Sequence, residues 1–294
     1  MPELQKYKGA VYIWDYVPSL PLAVAFAALF ALVTAAHTWK MYRTRIWFCI
    51  PFVIGGIGEV AGYVCRVLAF NNTGSLALFV CQALLLLLPP VLFAASLYMV
   101  YSRVVRSVSG ARFSLISPVW CTRIFVIGDW FCLNIQSTGG GLTANVKHQE
   151  IGDGIVVAGL ALQILLFCFF LGCCVKFHIN FSKHLKASGE STDVPWKMIL
   201  QMLYATSAII SARNIFRLVE YIMGKGSYLF AYEWPIYVFD GALMLIVMVV
   251  FYVWYPDQLV WERTESMIEL TSDGGDSERT KTGCSGIRHN SNNA

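Results

Sequence analysis

The sequence predicts an all-α membrane protein with seven transmembrane helices. The chain of 294 residues is 57% hydrophobic and 14% charged, with a mean hydropathy of +0.58. Soluble domains are about 45–50% apolar and about 25% charged. The apolar residues form seven runs of about 20 residues, the length needed to cross a hydrocarbon core of roughly 30 Å. Together, composition and run length exclude an ordinary soluble domain.

The runs divide the chain into three parts. Residues 1–19 form an N-terminal segment, residues 20–255 the transmembrane domain, and residues 256–294 a tail that we expect to be mostly disordered, because it is rich in Ser, Thr, Gly and Asn. The predicted spans are approximately 20–39, 46–70, 76–101, 118–137, 152–175, 196–223 and 234–255.

Lys and Arg residues alternate between the two sides of these spans. Fourteen lie after the first, third and fifth spans and in the tail, whereas four lie on the opposite side. Cytosolic connections carry the excess of Lys and Arg. The N-terminus is therefore predicted to lie outside the cell and the C-terminus in the cytosol.

The first span is apolar, and the second contains the first polar face. Glu59, Tyr63 and Arg66 lie at positions i, i+4 and i+7, so they share one helix face. Beside them, Gly58 and Gly62 favour a close helix–helix approach. Two interpretations remain open: a buried pair of charges that fixes helix packing, or the lining of a cavity.

The third span contains Gln82 and, further along, the dipeptide Pro89-Pro90. Proline lacks a backbone N–H and cannot complete the helical hydrogen bond, so we expect a kink there, with Pro89 and Pro90 as a candidate hinge. The carbonyl groups that lose their donors need partners from the protein or from water in a cavity.

The fourth and fifth spans contain fewer polar groups. Asp129 and Gln136 are seven residues apart and share a face, and residues 139–141, Gly-Gly-Gly, are expected to form an outer loop. Gln163 is the one buried polar side chain expected in the fifth span. A single interhelical hydrogen bond would account for it.

The sixth span contains the most unusual stretch of the chain. Arg213, Arg217 and Glu220 share one face, although a charged residue near the centre of a bilayer costs about 2.5–3.5 kcal/mol. The seventh span presents Tyr237 and Asp240 on one face. A short connection makes the two helices antiparallel neighbours, so we expect Asp240 to contact either Arg213 or Arg217; the sequence leaves that choice open.

The charges inside the spans are balanced, with four carboxylates and four guanidinium groups. They are Glu59, Asp129, Glu220, Asp240, Arg66, Arg123, Arg213 and Arg217. Buried charges need partners. We therefore expect a bundle with a polar cleft open toward the outer leaflet, and the alternative is an occluded network with a structural role.

Several classes of seven-helix protein do not fit. The last span has no lysine for a retinal Schiff base, and the third and seventh spans lack the signatures of G-protein-coupled receptors. The five histidines lie at span ends, in loops or in the tail, so neither a metal site nor an intramembrane enzyme is expected, and no cofactor is implied. The absence of a phosphate-binding loop argues against ATP hydrolysis. A channel is not excluded.

The polar motifs resemble, in order and over roughly residues 15–260, the fungal lipid-translocating exporters of the RTA-like family. One departure is Tyr255-Pro256-Asp257, where many members have His-Pro-Gly. The motifs that carry the resemblance are Glu59-x-x-Gly62-Tyr63-x-x-Arg66, Gln82 through the prolines to Tyr98, Asp129 with Gln136, Gly159-Leu160-x-x-Gln163, Arg213-x-x-x-Arg217-x-x-Glu220-Tyr221 and Glu233-x-x-x-Tyr237-x-x-Asp240.

The resemblance implies a seven-helix protein, usually of the plasma membrane, that exports or flips sphingoid long-chain bases or toxic amphiphiles. The partners are then membrane lipids or amphiphilic small molecules, bound by the polar residues of the cleft. The sequence also permits a membrane lipid sensor that signals through its cytosolic loops and tail, or a structural scaffold.

Overall fold

In this computed structural model, the described residues are 6–7, 11–12, 14, 18–143, 148–188, 195–224, 227 and 232–255. The predicted tail, residues 256–294, lies outside them. The helices are α1 (Leu20–Thr44), α2 (Ile50–Ala69), α3 (Leu76–Ser107), α4 (Pro118–Thr143), α5 (Gln149–Ser188), α6 (Trp196–Met223) and α7 (Ile236–Val253). Within the N-terminal segment, β1 (Lys6–Tyr7) and β2 (Val11–Tyr12) pair antiparallel.

The predicted all-α membrane fold is confirmed, because each predicted span falls on one helix. Several helices run past the predicted spans, most clearly α5, which continues to Ser188. In the described part of the chain, five of the seven helices are long and apolar enough to cross a membrane by length and composition; α4 and α6 are outside this set. The number of helices that span the bilayer, and their orientation, stay predictions.

Helix α3 occupies the centre of the bundle. Consecutive helices pack against one another, and α3 contacts α2, α4 and α6, while α1 also contacts α7. The half of the bundle at the end of α1 is filled with aromatic rings. Phe52 stacks between Phe93 and Phe251, with ring centroids 4.5 and 4.2 Å away. The polar side chains of interest lie toward the other half.

Glycines of α2 allow a close helix–helix contact, as the sequence predicts. A Cβ atom at Gly62 would lie 2.6 Å from Cδ2 of Leu86, and one at Gly58 would lie 3.2 Å from Cγ of Pro89. Real Cβ atoms do not approach that closely without a shift of the neighbour. Both contacts bring α2 against the proline-containing part of α3.

The predicted outer loop at residues 139–141 is wrong, because α4 continues as a helix to Thr143. Gly139 packs on α5, where an added Cβ atom would lie 2.8 Å from the backbone oxygen of Gly152. Gly140 and Gly141 face open space. Here a glycine serves a helix–helix contact rather than a turn, and composition alone does not distinguish the two uses.

The double proline lies inside a helix that stays continuous from Leu76 to Ser107. Pro89 and Pro90 are both buried, and they remove the donors that would bond to the carbonyl groups of Leu85 and Leu86. The helix therefore runs through both prolines, while two of its carbonyl oxygens need other partners; the kink stays a prediction.

Candidate functional site

Arg213 of α6 contacts both α7 and α3, in the half of the bundle that contains the polar side chains. Its Nε donates to Oδ1 of Asp240 on α7 at 2.5 Å, and one terminal nitrogen donates to the backbone oxygen of Leu86 on α3 at 3.1 Å. That oxygen is the one left without a helical donor by Pro90. The proline on α3 therefore supplies a backbone acceptor for the arginine on α6.

Arg217 lies one turn further along α6. It pairs with Glu220 at 2.7 Å, and its second terminal nitrogen lies 3.9 Å from Oδ2 of Asp240. Both arginines thus contact Asp240, with Arg213 much the closer. This resolves the choice that the sequence leaves open.

Arg66 does not pair with Glu59 of its own helix. Its guanidinium lies 2.7 Å from Glu233, just before α7, and its Nε donates to the hydroxyl of Tyr237 at 3.0 Å. Tyr237 donates to Glu233 at 3.0 Å, and the backbone N–H of Ser19 lies 2.9 Å from both carboxylate oxygens. We call this set (Ser19, Arg66, Glu233 and Tyr237) the Glu233 junction. It ties the start of α1, the end of α2 and the start of α7 together.

Glu233 is absent from the sequence-predicted site residues. The signal was available, because Glu233, Tyr237 and Asp240 repeat the i, i+4, i+7 spacing that singled out the polar faces of α2 and α6. Glu233 lies one residue before the predicted seventh span, so it is not among the charged residues inside the spans. Partial burial raises the pKa of Glu233, but the Arg66 guanidinium and the Ser19 N–H lower it by more, so the net pKa lies below the ordinary value.

Glu59 lies at the edge of the same region without a partner of its own. Its side chain is 2% exposed and, among the described residues, makes neither an ion pair nor a hydrogen bond. The charges that act on it are those of Asp240, Arg213 and Arg217. Tyr63, one turn along α2, stacks on Phe26 and Phe30 of α1, and its hydroxyl finds no hydrogen-bond partner in the described ranges.

We call the side chains that lie together here the charged cluster. It has four carboxylates and three guanidinium groups, so it carries one excess negative charge when all are ionised. Its members are Glu59, Glu220, Glu233, Asp240, Arg66, Arg213 and Arg217.

The cluster differs from the eight charged residues that the sequence places inside the spans. Arg123 is exposed and lies 5.8 Å from the ring of Trp120, away from the cluster. Asp129 also lies outside the charged cluster, whereas Glu233 belongs to it. Helical periodicity alone does not tell which face of α4 is turned to the bundle.

Asp129 lies on the α4 and α5 side of α3. The hydroxyl of Tyr98 donates to Oδ2 of Asp129 at 2.8 Å, whereas Oδ1 is buried and has no partner within the described part of the chain. Nearby on α4, Gln136 donates to Gln163 of α5 at 2.7 Å, which is the interhelical bond that the sequence predicts for Gln163. Gln82 on α3 is buried, with an unpartnered carbonyl oxygen. The structure therefore separates the predicted site residues into two groups.

The charged cluster is closed in this structure. Six of its seven side chains are at most 12% exposed, and Glu233 is 16% exposed. The predicted open cleft is thus not present in this conformation. A separate open groove of about 630 Å³ runs between α1 and α2, with walls that include Ala31, Ala35, Trp39, Ile57 and Val60.

Metal binding finds no support in the part of the chain that the structure describes. There, no group of three or more His, Cys, Asp or Glu side chains is placed to hold an ion. The chemistry that the cluster offers is electrostatic: fixed guanidinium–carboxylate pairs beside one carboxylate that has no cation of its own.

Together, the fold and the site define a polytopic helical membrane protein with a buried, net acidic cluster. The sequence family described as RTA1 like protein matches residues 52–263. The chain therefore belongs to the RTA1-like family, which confirms the resemblance noted from the motifs.

Curated relatives from Saccharomyces cerevisiae support this membership. Protoporphyrin uptake protein 1 is 35% identical, over 82% of this chain and 91% of the relative. Protein RTA1 is 33% identical, over 85% of this chain and 86% of the relative. The sphingoid long-chain base transporter RSB1 is 26% identical, over 87% and 76%. No solved structure matches the chain. Where these names state an activity, it is uptake or transport, and the chain is accordingly a membrane protein with a transport role.

Proposed function

We propose that this protein translocates a long-chain amphiphile with a protonated amine head across the plasma membrane, and that the amine binds at Glu59 and Asp240. The observation that carries the proposal is the buried carboxylate of Glu59, which has no partner of its own in a cluster with one excess negative charge. A buried charge without a partner is costly, so a cationic ligand would stabilise the cluster.

The hydrogen-bonding groups of the cluster also favour an amine. An ammonium group has three donors and no acceptor. The cluster offers acceptors: the carboxylate of Glu59, and Oδ2 of Asp240, which receives no hydrogen bond from any described residue. An anionic head would instead need a free guanidinium group, but Arg66, Arg213 and Arg217 are all paired with carboxylates.

An apolar tail has a place beside the same helix. The groove between α1 and α2 is lined mainly by apolar and small side chains, including Ile57 and Val60, which flank Glu59 in the sequence. Its volume of about 630 Å³ falls in the range of roughly 300–1,000 Å³ that is typical of small-molecule sites. The groove supports an amphiphile whose tail remains among lipid-facing helix surfaces while its head reaches the cluster.

Entry of the head group requires another conformation, because the cluster is closed. The Glu233 junction is the element that must open, since it ties α1, α2 and α7 together next to the cluster. Opening would break one ion pair and free the start of α1. We propose that this junction is the gate on the outer side.

The relatives support transport but differ in cargo. The transporter RSB1 carries sphingoid long-chain bases according to its name, and such bases are long-chain amines. Protoporphyrin uptake protein 1 is 35% identical to this chain, against 26% for RSB1, and the match covers 91% of its length, against 76% for RSB1. Uptake of a porphyrin is therefore the second candidate function. Porphyrin carboxylates would meet an already acidic cluster, so we place the amine first.

The test uses the purified full-length protein in lipid vesicles and measures movement of labelled amphiphiles between leaflets. The probes are a sphingoid base, a fatty alcohol with a tail of the same length, and protoporphyrin. The proposal predicts faster movement of the sphingoid base than in protein-free vesicles, and no acceleration of the alcohol. Acceleration of protoporphyrin alone would favour the second candidate, and equal movement with and without protein would overturn both.

A further inference from the structure

A second acidic site lies apart from the charged cluster, on the other side of α3. Asp129 is 2% exposed and receives one hydrogen bond, from Tyr98, while its Oδ1 atom has no partner among the residues that the structure describes. The substrate site proposed above leaves this carboxyl group without a role.

The groups that face Asp129 carry no positive charge. The titratable side chains around the Asp129–Tyr98 pair in the described part of the chain are Tyr98 on α3, Cys121 and Cys132 on α4, and Cys174 on α5. An ionised carboxylate with a single hydrogen bond and no cation is strongly disfavoured in an apolar interior. The site therefore needs a small positive ligand.

The surroundings leave no room for an amine with a long tail. The ring of Tyr98 packs against Phe125 and Phe170, with centroids 5.3 and 4.5 Å away, and all three side chains are fully buried. Gly159 of α5 lies so close to α4 that an added Cβ atom would be 2.8 Å from Cγ of Gln136. A proton fits such a site, whereas a head group does not.

We propose that Asp129, together with Tyr98, is a proton-binding site that couples proton movement to transport. In the closed conformation the proton is on Oδ1, which has no other partner, and Tyr98 donates to Oδ2. Binding forms one O–H bond and changes the charge of the group from −1 to 0. Release returns the proton to water in a conformation that exposes Asp129.

Helix α3 connects this site to the charged cluster. Leu86, whose backbone oxygen accepts from Arg213, and Tyr98, which donates to Asp129, lie on the same helix, with Pro89 and Pro90 between them. A bend at the prolines that follows a change at Arg213 would move Tyr98 relative to Asp129. This coupling step rests on the proposed function, whereas the proton site does not.

The proton site is tested by infrared difference spectroscopy of the full-length protein between low and high pH. We expect a carboxylic-acid C=O band that disappears as the pH rises, is absent from Asp129→Asn and is shifted in Tyr98→Phe, which loses the hydrogen bond to Oδ2. The same bands in wild type and Asp129→Asn would overturn the proposal. If Asp129→Asn does not fold, the Tyr98→Phe variant decides: a shifted band supports the site and an unshifted spectrum overturns it.

Coupling is tested in vesicles with an imposed pH gradient, after subtraction of movement in protein-free vesicles. The gradient should change sphingoid-base movement several-fold for wild type and for the exposed control variant Arg123→Gln. For Asp129→Asn it should have no effect, while downhill movement remains. If the rate of sphingoid-base movement by wild type is the same with and without the gradient, the coupling is overturned and the proposed function remains. If wild type moves no amine at all, the proposed function fails, and the infrared result still decides the proton site.

Discussion

At the scale of single residues, Glu233 shows how a loop carboxylate can hold three helices together. Its lowered pKa means that the ionised form is bound more tightly in the folded protein than in the unfolded chain. The stabilisation is therefore fully present above the ordinary pKa of 4.5 and is lost as the pH falls through the lower folded value.

A pH series of thermal melting in detergent tests this contribution. We expect the difference in melting temperature between wild type and Glu233→Gln to be constant from pH 7 down to about pH 5 and to shrink below that, since the ordinary pKa of Glu is 4.5. Glu150 offers a control, because it is an exposed acid near a helix start. A Glu233 difference that grows on acidification would contradict the assigned ion pair.

The residues of the site were predictable where helical spacing alone decides. The shared faces of α2, α6 and α7 follow from positions i, i+4 and i+7, and so does the contact between Asp240 and an arginine of α6. Spacing does not reveal which of two arginines, one turn apart, comes closer, nor which way Arg123 points. These depend on helix rotation, which is set by packing across the whole bundle.

At the scale of an element, α3 has the most unusual chemistry. Pro90 frees the carbonyl oxygen of Leu86 for Arg213, whereas Pro89 frees that of Leu85, for which Arg213 is not the donor. The two adjacent prolines therefore form a matched pair for mutation. Removing a proline from a helix interior restores one backbone hydrogen bond and relieves a cost of about 3 kcal/mol.

Pro90→Ala should reduce transport more than Pro89→Ala does, because its new N–H competes with Arg213 for Leu86. Both variants should be at least as thermally stable as wild type. Transport rates in vesicles and melting temperatures measure the two effects. Equal transport by the two variants would show that the contact between Arg213 and Leu86 is not part of the mechanism.

The glycines at the end of α4 give a second matched pair. Gly139→Ala places a Cβ atom 2.8 Å from the backbone oxygen of Gly152, which cannot move aside like a side chain, so we expect a loss of about 1–3 kcal/mol. Gly140→Ala meets nothing within 4 Å and should stabilise the helix by roughly 0.5–1 kcal/mol. Melting temperatures that change in the same direction would contradict the close packing of α4 on α5.

The elements themselves were largely predictable from apolar run length, since each predicted span coincides with a helix. The ends were not. Composition suggested a loop at residues 139–141, but the close contact of Gly139 with α5 keeps the helix intact. Likewise, a bilayer limits the apolar stretch and not the helix, so α5 continues well beyond it.

At the level of the whole molecule, a transporter and a lipid sensor differ in whether they need the tail. The tail, residues 256–294, lies outside the described residues, and only the sequence predicts it on the cytosolic side. Deletion of residues 262–294 should leave transport in vesicles unchanged if the helices alone move the substrate. Loss of the cellular phenotype with intact transport would instead favour the lipid sensor.

The general architecture follows from sequence, but the state of the bundle does not. Paired charges in an apolar chain predict an interior polar site, and the structure places most of them together. Whether such a site is open or closed depends on small differences between packed conformations. The sequence pattern therefore predicted an open cleft, whereas the structure has a closed cluster.

Transport of a fluorescent sphingoid base by Glu59→Gln in cells decides whether the unpaired carboxylate binds the amine. Surface abundance is matched to wild type, and Arg123→Gln is the exposed control. A hydrogen bond to a charged group is worth about 1.5–3 kcal/mol, so we expect a loss of roughly tenfold to a hundredfold for Glu59→Gln and none for the control. Equal transport by wild type and Glu59→Gln would show that the unpaired carboxylate of the cluster does not bind the amine.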